Sequence, residues 1–437
     1  MSLFFCKLLV AVSLEKERRG RAMSSKSSLA ALGVVALVVL GFFYYFYSRD
    51  PLINVPLDLF RKIHQNRTDY AEAIINLKQA LPDDSVGNDL VPASQKLVRR
   101  VLRKEIDLQE VTDEVGWSGD RVFRVINPKN GQPEAILKIY REASENLFPE
   151  VYALDFLSRH RFPSPRILGL GTYQANNDCY FALCESLAPG RSVLTLFKQA
   201  DFAILSKGIS ACGKSLAKLH RYRSRTLNRL PAAYETKMRQ YLKETIEKLK
   251  QYPQLGIDDE SLVKLFEQTV INVQSKPIPS GIAHGDTKMI NVFFDADTGE
   301  VTWIDPSKLA ASLDSEETPC GMPAKDINSF LDDIAIKQIE FNVERDHLVT
   351  HKKIRTDAQI EFLKQAFLEG YVANGGILPS QEEIALFSLG SHLYFVANTG
   401  VLDPACRDPE PLKTSKRYRI QLILDDIRRR LSDKKYL

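Results

Sequence analysis

His284-Gly285-Asp286-Thr287-Lys288-Met289-Ile290-Asn291, followed after a short hairpin by Ile304-Asp305, is the stretch whose reading decides the fold. Gly281-Ile282-Ala283 enters as a strand-like run, and Val292-Phe293-Phe294 leaves as another. Asp295-Ala296-Asp297-Thr298-Gly299 supplies the turn, and Glu300-Val301-Thr302-Trp303-Ile304 returns to Asp305. Folding the hairpin brings the Asp286 carboxylate, the Asn291 amide and the Asp305 carboxylate together. The spacing alone fixes only three positions and recurs by chance in roughly one chain in twenty of this length. A turn whose Asp and Asn merely cap backbone groups is therefore the competing reading. The second aspartate at hairpin distance, and the elements upstream, tip the balance away from it.

Upstream, short alternating runs begin at Val111. Arg121-Val122-Phe123-Arg124-Val125-Ile126 reads as a strand, Asn127 to Gly131 as a turn, and Ala135-Ile136-Leu137-Lys138-Ile139-Tyr140 as the returning strand. A helix is predicted across Glu150 to Leu157, and further strands at Arg166 to Gly169 and Cys179 to Cys184. After Gly190 the pattern turns helical, with long candidates at Phe202 to His220 and Tyr234 to Tyr252. A sheet-rich lobe followed by a helix-rich lobe is the α+β architecture this order predicts. Phosphoryl transfer needs a base for the acceptor hydroxyl, a divalent metal on the phosphates and a cation on the nucleotide. Asp286 is the candidate base, and Asn291 and Asp305 supply the hard oxygen ligands that magnesium takes.

On these residues the chain resembles the aminoglycoside phosphotransferase and choline kinase-like family, which shares the protein-kinase fold. That family's loop reads His-Gly-Asp, four residues, Asn, with Ile-Asp opening the metal segment; His284-Gly285-Asp286, Asn291 and Ile304-Asp305 match it. The resemblance covers roughly residues 110 to 335. It implies a bilobal kinase-like fold using ATP and Mg, with a small antiparallel-sheet N-lobe and a helical C-lobe. Lys138 matches the strand lysine that contacts nucleotide phosphates. Glu150 matches the glutamate that holds this lysine by an ion pair, with Glu142 and Glu145 as competitors. Val115 to Asp120 lies where the family places its nucleotide-positioning loop, so Ser118 and Gly119 are candidate phosphate donors. Cys184-Glu185-Ser186 resembles the hinge, with the Cys184 carbonyl and the Ser186 N–H facing the adenine edge. Asp326 matches the aspartate that braces the catalytic loop, and His284 supports it structurally. Lys288 either approaches the transferred phosphate, as an equivalent lysine does in protein kinases, or faces solvent. His220, ending an amphipathic helix, reads as structural.

Two departures from the pattern leave the acceptor open. Thr287-Lys288-Met289-Ile290 replaces the commoner Leu-His-Pro-Gly filling, and Pro306-Ser307 follows Asp305 where an aromatic is usual. The acidic stretch between Ser307 and Lys325 (Asp314, Glu316, Glu317) reads as either part of the substrate pocket or a surface loop.

The 437 residues suffice for two lobes, and a net charge of +4 is too small to imply a nucleic-acid partner. Six cysteines show neither CxxC pairing nor zinc spacing. Leu29 to Tyr47 carries no charge, ends in an aromatic cluster and is long enough to cross a bilayer as a helix. No small-residue cleavage site follows, so the segment reads as a retained anchor. Basic residues flank both ends in near-equal number; starting at Met23 instead of Met1 would leave only Lys26 upstream. A need for nucleotide favours the cytosolic face. Ile420, Ile423, Leu424, Ile427 and Leu431 form an apolar stripe that either docks on the helical lobe or lies on the membrane.

The expected organisation is a tail at 1–28, a transmembrane helix at 29–47 and lead-in helices at 48–105, then an N-lobe at 106–186 and a C-lobe at 187–437. The expected activity is ATP- and Mg-dependent transfer of phosphate to the hydroxyl of a small molecule. A protein or lipid kinase at the membrane, and a membrane-tethered pseudokinase scaffold, are the alternatives.

Overall fold

In the computed structural model the described residues are 51–66, 75, 78–81, 90–111, 121–141, 146–175, 178–199, 201–344, 347–400, 402 and 410–432. The segment Leu29 to Tyr47 lies outside them. Among the described residues no helix is long and apolar enough to cross a membrane.

Helices α1 (Pro51–Asn66) and α2 (Leu90–Leu102) precede an antiparallel sheet. Its strands are β1 (Asp107–Glu110), β2 (Arg121–Ile126), β3 (Pro133–Arg141), β4 (Ile167–Ala175) and β5 (Asp178–Ser186), in the spatial order β1-β2-β3-β5-β4, and α3 (Leu147–Arg159) joins β3 to β4. Alternation along β3 sorts its side chains between two environments. Ala135, Leu137 and Ile139 share one face with Phe123, Val125, Ala182 and Cys184. Ala93, Leu97 and Val98 of α2 cover that face, so this lead-in helix belongs to the core of the small lobe. Lys138 and Tyr140 project to the opposite face, where Glu150 of α3 meets both.

The large lobe opens with β6 (Arg191–Ser192), α4 (Val193–Gln199), α5 (Phe202–Arg221), β7 (Arg225–Leu227), α6 (Ala232–Leu249), α7 (Asp259–Gln274) and β8 (Ile278–Ser280). The hairpin β9 (Val292–Phe294) and β10 (Val301–Trp303) follows, with β6 paired to β9. The chain then runs through α8 (Pro323–Ile336), the hairpin β11 (Ile339–Glu344) and β12 (His347–Lys353), α9 (Asp357–Ala373), α10 (Gln381–Asn398) and α11 (Glu410–Ser432). Capping boxes start α9 at Thr356 with Gln359, and α10 at Ser380 with Glu383.

Two apolar clusters hold this lobe. Leu205, Ile209 and Leu216 of α5 pack with Phe330 of α8, Phe367 of α9, the loop residue Met289 and the hairpin residue Trp303. Helices α5 and α9 approach at glycines. A Cβ on Gly213 would stand 2.1 Å from the Phe367 carbonyl oxygen, and one on Gly370 would stand 2.2 Å from that of Ser210. Leu262, Leu265 and Phe266 of α7 form the second cluster with Leu386, Leu389 and Leu393 of α10. Ile420, Ile423, Leu424 and Ile427 of α11 are buried in this cluster, so the C-terminal apolar stripe docks on the lobe. Arg430 fixes the contact by donating to the Ala385 carbonyl and the Ser388 hydroxyl.

Candidate active site

The loop from His284 to Asn291 is built around a buried carboxylate on α8. Asp326 is fully buried; its Oδ2 accepts the His284 N–H at 2.6 Å and its Oδ1 the Gly285 N–H at 2.8 Å. His220 Nε2 stands 3.1 Å from Oδ2, and His220 Nδ1 stands 2.9 Å from the Tyr371 hydroxyl. Thr287 adds a hydrogen bond to the Asp326 carbonyl at 2.7 Å. Burial alone would raise the Asp326 pKa, but these donors outweigh it and hold the group below the usual carboxylate range. Asp333, two helical turns further on, accepts the Met289 N–H at 2.8 Å and secures the far end of the loop. His284 Nε2 reaches the Ile304 carbonyl at 3.1 Å, which ties the loop to the residue before Asp305.

Gly285 is needed where it is. Its φ of 83° lies in the left-handed region, and a Cβ there would stand 2.6 Å from the Cβ of Lys308. This turn sets Asp286 against two lysines and Asn291. The Lys288 ammonium stands 2.8 Å from Asp286 Oδ1 and that of Lys308 stands 3.4 Å from the same atom. Asn291 Nδ2 donates to Asp286 Oδ2 at 3.1 Å and to its carbonyl at 3.0 Å. Burial works against the Asp286 anion, yet the two lysines prevail and lower its pKa to about 2. The carboxylate is therefore an ionised acceptor at neutral pH.

Asp305 holds a φ of 56°, a conformation of the kind that strains a non-glycine residue and is retained where the surroundings impose it. Its side chain is half exposed, with Oδ1 4.0 Å from the Lys138 ammonium. Donation by the Asn291 amide nitrogen to Asp286 leaves the Asn291 amide oxygen for a cation. With the Asp305 carboxylate this makes a pair of hard oxygen donors, the small protein share that magnesium takes when phosphates complete its shell. Among the described residues no group of three or more His, Cys, Asp or Glu side chains could hold a metal without such help.

Lys138 faces more negative charge than the sequence indicated. It pairs with Glu150, and Glu185 Oε1 lies 3.2 Å from it. Burial opposes the ammonium, but Glu150, Glu185 and Asp305 hold its pKa well above the ordinary lysine value. Burial pushes both glutamates upward against the pull of Lys138. The second Glu150 oxygen accepts from the Tyr140 hydroxyl, whereas Glu185 Oε2 has no hydrogen-bond partner among the described residues. Glu142, Glu145, Ser118 and Gly119 lie outside the described residues.

The hinge differs from the sequence expectation. Ser186 N–H donates to the Arg166 carbonyl at 2.9 Å, and its hydroxyl accepts from the Arg166 N–H at 2.9 Å. Cys184 sits inside the sheet between Leu137 and Gly169, and its thiol is buried in the small-lobe core. The Ser186 N–H is therefore taken up by the Arg166 carbonyl, and strand pairing continues through Ser186. Leu187 and Ala188, the next residues, are the first clear of the sheet.

The acidic stretch after Asp305 also takes a definite place. Glu317 receives Arg159 at 2.6 Å and the Tyr152 hydroxyl at 3.1 Å, both from α3. The Asp314 carboxylate accepts the N–H groups of Glu316 and Thr318. This segment therefore braces α3. From the other side, Arg61 of α1 donates to both oxygens of Asp155 on α3, at 2.7 and 2.6 Å. His64 stacks on Tyr152 with ring centroids 3.8 Å apart. Lys308 and Asp333 carry no signal in the sequence, and Glu185 and Tyr140 read only as hinge and strand residues, because no spacing rule joins them to the loop.

No curated protein matches the chain. Among solved structures it is similar to an aminoglycoside phosphotransferase from Streptomyces rimosus in complex with ADP and streptomycin. The two are 16% identical over 70% of this chain and 97% of that one, with a TM-score of 0.43. It is also similar to a choline kinase from Cryptosporidium parvum, at 15% identity over 76% of this chain and 91% of that one, with a TM-score of 0.44. The phosphotransferase enzyme family matches residues 111–340, more than half of the chain, and to that family of enzymes this protein belongs.

Proposed function

We propose that the protein moves the γ-phosphate of ATP onto a hydroxyl of a small-molecule acceptor. The observation that carries the reading is the Asp286 carboxylate, held ionised and oriented by Asn291, Lys288 and Lys308 opposite the Lys138–Glu150 pair. Asp286 accepts the hydrogen bond of the acceptor hydroxyl and takes its proton as the new P–O bond forms. Lys138 contacts the nucleotide phosphates, and Lys288 offsets charge on the group in transit. Asn291 and Asp305 would hold magnesium, which neutralises the phosphate oxygens when bound. A scaffold has no chemical need for Lys138, Asp286, Asn291 and Asp305 together, which favours the enzyme over a pseudokinase. In the full chain, Asp286→Ala is expected to lower phosphoryl transfer about a thousandfold while magnesium-dependent ATP binding survives. Unchanged turnover would remove Asp286 from the mechanism, and absence of such binding by the native chain would favour the scaffold.

The same proposal includes a single-pass anchor at 29–47 with the catalytic domain on the cytosolic side. Support comes from the uncharged run itself and from the requirement for nucleotide. In sealed vesicles carrying the protein cytosolic side out, added protease is expected to digest the domain. Full protection of residues 111–340 would reverse the topology.

A further inference from the structure

We propose that the acceptor is an anion, a hydroxy compound bearing a carboxylate or phosphate group, and that Lys308 and Lys325 hold that group. The inference rests on the phosphotransferase reading and narrows it to a substrate class.

The charges around the reacting hydroxyl do not balance. Asp286 is a single carboxylate, and both Lys288 and Lys308 lie against its Oδ1. Lys325, half-buried, directly precedes Asp326, whose carboxylate holds the His284 and Gly285 N–H groups of the loop, and its ammonium lies 5.9 Å from the centre of the Tyr234 ring. Among the described residues no carboxylate lies within ion-pair distance of Lys325. Its neighbour Asp326 is committed to the His284 and Gly285 N–H groups and to His220. Burial pushes the Lys325 pKa down, and Lys308 and Lys288 push the same way against Asp326 and Asp286. An incoming anion reverses that balance.

The acidic side chains nearby do not make up the deficit. Glu317 is held by Arg159 and Tyr152, Asp314 caps its own turn, and Asp333, which receives the Met289 N–H, adds its negative charge on the Lys288 side. Lys288 pairs with Asp286 at 2.8 Å within the loop itself, and the phosphotransferase reading assigns this one of the three cations to the γ-phosphate. Lys308, three residues after Asp305, and Lys325, directly before Asp326, come from the two ends of the segment that joins these two aspartates. They remain for the acceptor. A cationic acceptor would meet two like charges there, whereas an anionic one is drawn in and oriented beside Asp286.

The test uses the full chain in detergent, saturated with magnesium and ADP so that the nucleotide site is filled. One sample receives pyridoxal 5′-phosphate and the other pyridoxal, which lacks the phosphate. Each aldehyde condenses with a lysine amine to an imine, releasing water, and borohydride hydride reduces the imine to a secondary amine that peptide mapping locates. Lys308 or Lys325 is expected to be labelled about tenfold more by the phosphorylated reagent, with protection by glycerate or glycerol 3-phosphate but not by glycerol or choline. In parallel, γ-labelled ATP is offered with hydroxy compounds pooled by charge. Transfer is expected in the anionic pool, with KM raised about tenfold by Lys325→Met. Equal labelling by the two reagents, or transfer confined to neutral or cationic pools, would overturn the proposal. Phosphate-dependent labelling without transfer to any pool would support the anion site and count against phosphotransfer.

Discussion

Asp326→Ala is expected to lower turnover by about a hundredfold or more and to destabilise the protein by about 3–5 kcal/mol. The carboxylate accepts two main-chain N–H groups of the catalytic loop and faces His220 in a fully buried position. Alanine leaves both N–H groups without acceptors, each at about 1–3 kcal/mol, and opens a cavity beside them. The activity loss has a separate origin. Asp286 follows directly on Gly285, so a loop free to shift no longer aims its carboxylate. Asp326→Asn keeps the volume and one acceptor oxygen but points an amide N–H₂ at one of the two donors. It is expected to recover much of the stability and little of the turnover. Urea unfolding with a transfer assay on the same preparations checks both parts; an alanine variant with native turnover would show that the brace is dispensable.

Lys138→Met is expected to reduce transfer about a hundredfold to a thousandfold and to make stability strongly pH-dependent. The substitution leaves Glu150 and Glu185, both buried, without their shared cation. Breaking a buried pair in this way costs about 4 kcal/mol while the carboxylates stay ionised. Burial already raises both glutamates in the native protein, and Lys138 is what pulls them down. Without it their native pKa values rise further above the unfolded ones. A carboxyl raised on folding favours the native state below its unfolded pKa and loses that contribution as pH rises through the native pKa. The deficit of the variant is therefore expected to be about 1 kcal/mol at pH 5, where the carboxyls take up protons, and about 4 kcal/mol at pH 8. A deficit equal at the two pH values would mean that Glu150 and Glu185 do not titrate with the loss of Lys138.

What could be read from the sequence was whatever lies close along the chain. Asp286, Asn291 and Asp305 belong to one hairpin, so their spacing carries their meeting point. The alternation of β3 likewise separates Lys138 from the core residues flanking it. Residues brought in by tertiary packing gave no such signal. Glu185 is the middle residue of the expected hinge, but strand alternation turns it inward to Lys138, and pairing with Arg166 takes up the Ser186 N–H. Lys308 meets Asp286 only because Gly285 lets the loop pass close beneath it. Leu90–Leu102 falls in the stretch that reads as lead-in helices; Ala93, Leu97 and Val98 acquire their role from the sheet they cover. The acidic run at Asp314 to Glu317 had two readings, and Arg159 and Tyr152 of α3 decide the place of Glu317.

The most direct measurement is transfer of label from γ-labelled ATP to hydroxy compounds by the full native chain with magnesium, run beside Asp286→Ala. The account predicts a labelled acceptor product with the native chain. It predicts about a thousandfold less with the variant, which still binds ATP and magnesium. Equal transfer by the two proteins would contradict it.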